Sequence, residues 1–386
     1  MSDPLAQHTY KPRLVRRARR VVVKVGSNVL AGPDGLQRPR VRALAREIAA
    51  LIDGGREIVL VTSGAVASGA AKLGPRRGRI EWRQAAAAVG QIHLMTSYER
   101  AFATHGRSVA QILLTHTDLA DRRRNLNARH TLRTLLGLGI VPIVNENDTV
   151  AVEELRFGDN DNLSALTATL IGADLLVVLT DVPGLYDRDP RQHRDAVLVP
   201  VAQPADARWT VVAGHSGSDR GTGGMASKLA AARTAAAAGI PTILADGTRP
   251  NVLARVFDPA VEVGTLLLAD GDVLTRRKHW IAYTLKPAGT LTVDAGARAA
   301  LIDGKRSLLP SGVRAVDGRF GVGDCVRCID PDGREFARGL ASYAAADVAR
   351  LLGAHTREIE KRLGYKGSDE VIHRDDLTVL VGGGSV

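Results

Sequence analysis

Short apolar runs alternate with stretches of helical period from Arg20 to Ala245. Arg20-Val-Val-Val-Lys-Val25, Ile58-Val-Leu-Val61, residues 109–114, Gly139-Ile-Val-Pro-Ile-Val144, residues 174–179 and Pro241-Thr-Ile-Leu-Ala245 have the length and composition of strands buried on both faces. Between them, residues 39–53 set Val41, Leu44, Ala45, Ile48 and Leu51 at helical spacing, with Pro39 near the first turn and Gly54 beyond the end. The same period predicts helices over 82–105, near 125–137, over 162–172 and over 222–238. Strands alternating with helices define an α/β domain around a mainly parallel sheet.

The pattern changes near residue 271. Residues 271–285 read as a linker with a short amphipathic element, and 286–363 as short strand-like runs broken by Gly, Asp and Pro, the mark of a small β-rich domain. The organisation expected is therefore a flexible basic leader over 1–19, an α/β domain over 20–270, the linker, the β-rich domain and a C-terminal tail over 364–386. The end of that tail, Gly382-Gly-Gly-Ser-Val386, is expected to be disordered. A chain of 386 residues is long enough for two cores.

Charge adds less than its total suggests. Of the formal +11, a net +5 comes from residues 1–20 alone, so the remainder favours anionic partners without indicating nucleic acid. Aromatic residues are only 4%, too few for a base-stacking platform. The leader has no apolar core or cleavage pattern after it, and no run of ~18 apolar residues could span a membrane. Cys325 and Cys328 form a lone Cys-x-x-Cys without the further ligands a zinc site needs, which points to structural thiols in a reducing cytoplasm.

The candidate chemistry lies where strands end. Gly26-Ser27-Asn28, Thr62-Ser63-Gly64, Asn145-Glu146-Asn147-Asp148 and Thr180-Asp181 each follow an apolar run, and in open α/β sheets ligands bind at the carboxyl ends of the strands. Four amide or carboxylate side chains stand consecutively from Asp159 to Asn162, before the apolar run that opens with Leu163. One helix cap needs one such residue, so the surplus implies a polar site at a helix start. Gly221-Thr222-Gly223-Gly224-Met225-Ala226-Ser227-Lys228 runs from glycines into a helix, an arrangement that lets backbone N–H groups approach phosphate. Lys24 closes an apolar strand, where an amine is costly without an anionic partner. Lys24 and Lys228 thus read as two phosphate grips that Asp161 could hold by charge-assisted hydrogen bonds. Walker and dinucleotide glycine motifs are absent, Ser63 is not in a nucleophile elbow, and His373-Arg374-Asp375 lacks the asparagine and upstream elements of a protein-kinase loop.

Val23-Lys24-Val-Gly26-Ser27, Val61-Thr-Ser63-Gly-Ala, Asn145-Glu-Asn-Asp148, Gly158-Asp-Asn160-Asp161-Asn-Leu-Ser, Leu179-Thr180-Asp181-Val-Pro-Gly-Leu-Tyr186 and Gly221-Thr-Gly-Gly-Met-Ala-Ser-Lys228 together resemble the amino-acid kinase family, in the right order from about Arg20 to Thr265. Residues 286–363 are similar to a PUA domain. The resemblance implies a three-layer sandwich and ATP-dependent phosphorylation of the γ-carboxylate of L-glutamate, at the head of proline biosynthesis. It implies that Lys24 and Lys228 grip the transferring phosphoryl group, with Asp161 organising them. It places Lys24, Thr180, Asp181 and Thr222 to Lys228 at the nucleotide, and Ser63, Asp148 and Asn160 at the amino-acid substrate. Asp148 makes sense as the partner of a free α-ammonium, which an N-acetylated substrate would lack. Mg²⁺ is expected on ATP oxygens with no dedicated protein ligand. The family also suggests homo-oligomers, feedback by proline and hand-over to a glutamyl-phosphate reductase. Two other readings are a kinase of acetylglutamate or aspartate, and an RNA-binding or RNA-modifying protein using the PUA-like domain. The second is weakened by the net charge over 286–363, which is only +3.

Overall fold

A computed structural model describes residues 4–32, 35–74, 80–150, 159–209, 224–269, 287–304 and 306–380, with backbone alone for 4–10, 122 and 159. It divides into two compact units, one of Met1–Ala120 with Ala128–Asp272 and one of Asp121–Asn127 with Val273–Val386. The first begins with helix α1 (Pro4–Arg17), strand β1 (Arg20–Val25), helix α2 (Arg38–Asp53), strand β2 (Glu57–Val61) and helices α3 (Ala65–Leu73) and α4 (Ile80–Ala103). Strand β3 (Val109–Leu114), helix α5 (Arg122–Gly137), strand β4 (Val141–Glu146), helix α6 (Asp159–Ile171) and strand β5 (Leu175–Thr180) follow. Strand β6 (Val201–Ala202), helix α7 (Met225–Ala237), strand β7 (Thr242–Asp246), helix α8 (Val252–Phe257) and strand β8 (Thr265–Leu267) complete it.

The eight strands form one sheet in the order β3-β4-β2-β1-β5-β7-β8-β6, parallel except where β8 runs against β7. Helices cover both faces, which makes three layers. Val21, Val23 and Val25 enter a core shared with Val41, Leu44 and Ile48 of α2 and Leu94, Tyr98 and Phe102 of α4. Successive strand residues alternate between faces, so Lys24 points to the other side, where α6 crosses β1. Pairing sets Lys24 level with Val61 and Val178, and Val61 level with Val144. Each of these rows lies next to a polar strand end, so one register gathers all four ends on a single rim.

Two glycine features shape that rim. Gly64, at φ 104°, takes the chain from β2 into α3 through a left-handed conformation that favours glycine. Gly90 lets α4 approach α3 so closely that a Cβ there would lie 1.8 Å from the carbonyl oxygen of Ala65.

Several boundaries differ from the sequence expectation. The leader is helical rather than flexible over Pro4–Arg17, because its apolar residues find partners: Val15 and Ala18 are buried in the main core, and Lys11 Nζ donates to the Val261 carbonyl at 2.6 Å. Strand β4 continues through Asn145 and Glu146, both buried, where a turn was expected. Helix α6 begins at Asp159 instead of 162, which makes the polar cluster the first turn of the helix.

The second unit holds strands β9 (Gly289–Val293), β10 (Val313–Gly318), β11 (Cys325–Ile329), β12 (Glu335–Leu340) and β13 (Leu377–Val379) in the order β10-β9-β11-β12-β13. Neighbours are antiparallel except β9 with β11. Helix α9 (Ala295–Ile302) starts from Asp294, whose side chain accepts from the Ala297 N–H, and helix α10 (Ala345–Leu351) adds Val348 and Leu351 to the core. β13 falls in the stretch expected as a separate tail. Val371, Ile372 and Leu377 are buried with the β-rich core, so that stretch extends the sheet. His373-Arg374-Asp375 lies beside this last strand at a short 3-10 turn, as a surface feature of the second unit. Cys325 and Cys328 are free and buried, and burial pushes the Cys328 thiol up to about 12, which leaves it an inert packing group. The linker at 271–285 and the end of the tail at 382–386 lie outside the described residues. Among the described residues no helix is long and apolar enough to cross a membrane.

Candidate active site

The rim brings two helix N-termini together over the end of β1. Helices α6 and α7 pack against each other, and their first turns carry Asn160 with Asp161 and Ser227 with Lys228. Asp161 is 1% exposed, and Lys24 and Lys228 are 5% and 7% exposed, so all three charges are out of water. Lys24 Nζ stands 2.5 Å from Asp161 Oδ1, and Lys228 Nζ 3.3 Å from Oδ2. Ser227 Oγ donates to the same Oδ2 at 2.6 Å. One carboxylate therefore holds an amine from each end of the domain.

The electrostatics follow from this packing. Burial alone would raise the Asp161 carboxyl, but the charges of Lys24 and Lys228 and the hydrogen bond from Ser227 hold it below the ordinary carboxylate value. Burial, reinforced by the neighbouring Lys228, lowers the Lys24 amine from its ordinary value against the opposing pull of Asp161. The three formal charges sum to +1, and the two helix N-termini add their positive ends. This is a site for an anion richer in charge than one carboxylate.

Beside it lies a cleft of ≈ 230 Å³ lined by Asn28, Thr180, Asp181, Tyr186, Gly224 and Lys228 among others. Asn28 Nδ2 donates to Asp181 Oδ2 at 2.9 Å and Thr180 Oγ1 to Oδ1 at 3.1 Å. Burial would raise the Asp181 carboxyl, but these bonds and the charge of Lys228 hold it low. Gly224 caps α7 in extended conformation, with Met225 and Ala226 in the first turn behind it. Thr222 and Gly223 lie outside the described residues.

On the opposite side of Asp161, Asn160 Nδ2 donates to Ser63 Oγ at 3.0 Å and to Asn145 Oδ1 at 3.2 Å. Asn160 Oδ1 is buried without a hydrogen-bond partner among the described residues. Asp148 sits half-buried in the turn just past β4. The structure thus joins Lys24, Lys228, Asp161 and Ser227 in one cluster and Asn160 with Ser63 in a second, at adjacent positions of α6. Gln91 was not singled out in the sequence, and Asn28 and Asn145 only as members of polar strand ends, with no role assigned. Asn145 Nδ2 donates to Gln91 Oε1 at 2.9 Å, and its Oδ1 also accepts the Glu146 N–H at 2.9 Å. The signal for Gln91 was available: it interrupts the buried stripe Ala87, Leu94, Tyr98 of α4 at helical spacing.

A parallel sheet flanked by helices, with lysines paired on one carboxylate at two helix N-termini, defines a class of phosphoryl-transfer protein. The sequence model described as the amino acid kinase family matches residues 19–246, and the chain belongs to that family. The PUA domain model matches residues 289–363. The glutamate 5-kinase of Pelobacter propionicus is 52% identical over 372 residues, covering 95% of this chain and 99% of that protein. The glutamate 5-kinase of Geobacter sulfurreducens is 50% identical over 370 residues, covering 95% of this chain and 99% of that protein. Among solved structures, the UMP kinase of Bacillus anthracis aligns with a TM-score of 0.46 at 21% identity, over 66% of this chain and 97% of that one.

Proposed function

We propose that the first unit transfers the γ-phosphoryl group of ATP to the γ-carboxylate of L-glutamate, giving L-glutamyl 5-phosphate, the first step of proline biosynthesis. The observation that carries this reading is the Asp161 carboxylate shared by Lys24 and Lys228 at two helix N-termini. The names of the relatives, which match along nearly the whole chain, support the same substrate.

The chemistry asks little of proton transfer. A γ-carboxylate with pKa near ~4.3 is ionised at neutral pH, so the nucleophile needs no general base. The barrier lies in bringing that anion to a polyanionic phosphoryl group, and it falls when cations preorganised in a dry site meet the developing charge. Lys24 and Lys228 supply the cations, and Asp161 with Ser227 fixes their positions before substrate arrives. Thr180, Asp181 and Asn28 line the nucleotide side, with the α7 N-terminus at the phosphates. Both Asp161 oxygens are engaged, and no cluster of three or more metal-ligating side chains occurs among the described residues. Mg²⁺ is read as carried on ATP oxygens, where it neutralises phosphate charge.

On the amino-acid side, the unpartnered Asn160 Oδ1 calls for a donor, which the α-ammonium of glutamate supplies, with Asp148 giving the balancing charge and Ser63 a further polar contact. Free L-glutamate is thus favoured over N-acetylglutamate, whose amide carries no cation. ADP release measured with glutamate, aspartate and N-acetylglutamate tests this. Glutamate is expected to lead, and Asn160→Ala to raise its KM roughly tenfold with little change for ATP. Preference for N-acetylglutamate would overturn the substrate assignment. RNA binding as the main activity is not favoured, because the kinase family match covers the larger unit and the relatives span both.

An acyl phosphate is hydrolysable, so a glutamyl-phosphate reductase that takes it up promptly is the partner read for the product. Proline, shaped like a closed glutamate, is read as a feedback ligand of the same pocket. Its inhibition is expected to be relieved by glutamate; inhibition that saturating glutamate leaves intact would place proline elsewhere. The cytoplasm, where ATP is plentiful, is the compartment read for the reaction, and a homo-oligomer is the assembly read for the chain, to be checked by light scattering.

A further inference from the structure

We infer that Gln91 is a positioning residue of the amino-acid pocket, setting the orientation of Asn160 through Asn145. The inference rests on the reading of Asn160 as a substrate contact. Gln91 lies on the buried face of α4, 9% exposed, between Ala87 and Leu94. A primary amide is costly there unless it is hydrogen-bonded. Its Oε1 accepts from Asn145 Nδ2 at 2.9 Å, while its Nε2 is buried with no partner among the described residues. The residue is therefore held for one bond, as an acceptor to Asn145.

That bond and the Glu146 N–H hold Asn145 from its two ends. Asn145 is 1% exposed, and its Oδ1 already accepts the Glu146 N–H and Asn160 Nδ2. Turning the amide over would set its NH₂ against the Glu146 N–H, a backbone donor that cannot turn, and its oxygen against Gln91 Oε1. With Asn145 fixed, Asn160 spends both Nδ2 hydrogens on Asn145 Oδ1 and Ser63 Oγ, which leaves Oδ1 as its only free end. The pocket thus meets its ligand with an acceptor because Asn145 is held at one end by the Glu146 N–H and at the other by Gln91.

A second contact on the same helix supports this. Tyr98, two turns beyond Gln91, pairs its hydroxyl with Thr62 Oγ1 at 2.8 Å, next to Ser63. Helix α4 therefore braces both strand ends that carry the acceptors for Asn160.

The test compares Gln91→Met, which keeps volume but removes the acceptor, with Gln91→Glu, which loses the unpartnered donor and, as the neutral acid that burial favours, keeps a carbonyl acceptor. Gln91→Met is expected to raise the KM for glutamate roughly tenfold, with the KM for ATP within twofold of the parent and kcat within a few-fold. Gln91→Glu is expected to hold the glutamate KM within about threefold of the parent. An unchanged glutamate KM in Gln91→Met, an equal rise for both substrates, or Gln91→Glu as impaired as Gln91→Met would each overturn the inference. If Gln91→Met is too unstable to assay, Gln91→Glu decides alone: a glutamate KM raised tenfold or more refutes it, and a retained one supports it. Asn160→Ala run in parallel separates the two readings. If it leaves the glutamate KM unchanged, the assignment of Asn160 fails and this inference falls with it; if it raises the KM while Gln91→Met does not, only the role of Gln91 is refuted.

Discussion

Alanine in place of Lys228 is expected to lower kcat by roughly 10²–10³-fold, with a much smaller change in the KM for glutamate. The amine sits in a site from which water is excluded, at 7% exposure, so its attraction for phosphoryl oxygens is not screened as it would be on the surface. Charge develops on those oxygens during transfer, so the loss falls on the transition state. Lys24→Ala is expected to behave alike, because Lys24 meets the other oxygen of the same carboxylate. The double variant should be little worse than either single one, since the two amines act on one migrating group. Lys228→Met keeps the aliphatic stem and separates loss of charge from loss of packing. Arginine should not restore the rate, because its planar fork is wider than a point-like ammonium and no longer fits beside Ser227. Steady-state ADP release checks all of these, with circular dichroism to confirm folding. Parent-like kcat in both single variants would remove the two-lysine mechanism.

Why these residues could be found without coordinates, and others not, has a physical explanation. Lys24 stood out because an amine in a run of valines demands a partner, and Asp161 because four polar side chains exceed what a cap requires. Both signals are local excesses of polarity. A parallel sheet then does the joining, since its register carries every polar strand end to one edge. Asn145 stood only as the first of four polar residues at a strand end, and Gln91 as one amide in an apolar stripe; the importance of each lies in a cross-chain hydrogen bond that neither pattern specifies. The leader failed for the opposite reason: its five basic residues masked Val15 and Ala18, which pack into the core. The C-terminal stretch failed because a three-residue strand, Leu377–Val379, is too short to show a period.

Asp161→Asn is expected to separate activity from stability in opposite directions of pH. The substitution preserves shape but leaves two buried amines with no anion between them, and removing one member of a buried charge cluster costs about 3–5 kcal/mol. Urea unfolding at neutral pH measures that loss. The carboxylate of Asp161 opposes the burial that lowers the Lys24 amine, so without it Lys24 gives up its proton at still lower pH. A cationic Lys24 is needed for phosphoryl transfer, so the alkaline limb of the rate should move toward neutrality, and mild acidification should recover part of kcat. Stability moves the other way. A lysine whose folded pKa lies below its unfolded value binds fewer protons when folded, so stability rises with pH between those two values. The span is wider in the variant, and its deficit against the parent should shrink as pH rises. The parent has a matching acid limb: Asp161, held low when folded, contributes stability above its unfolded pKa of ~3.9 that is lost as pH falls through the folded value. The variant lacks that contribution. One proton on Lys24 thus governs both curves, and a variant whose rate and stability decline together toward alkaline pH would show that Asp161 does not hold the charge of Lys24.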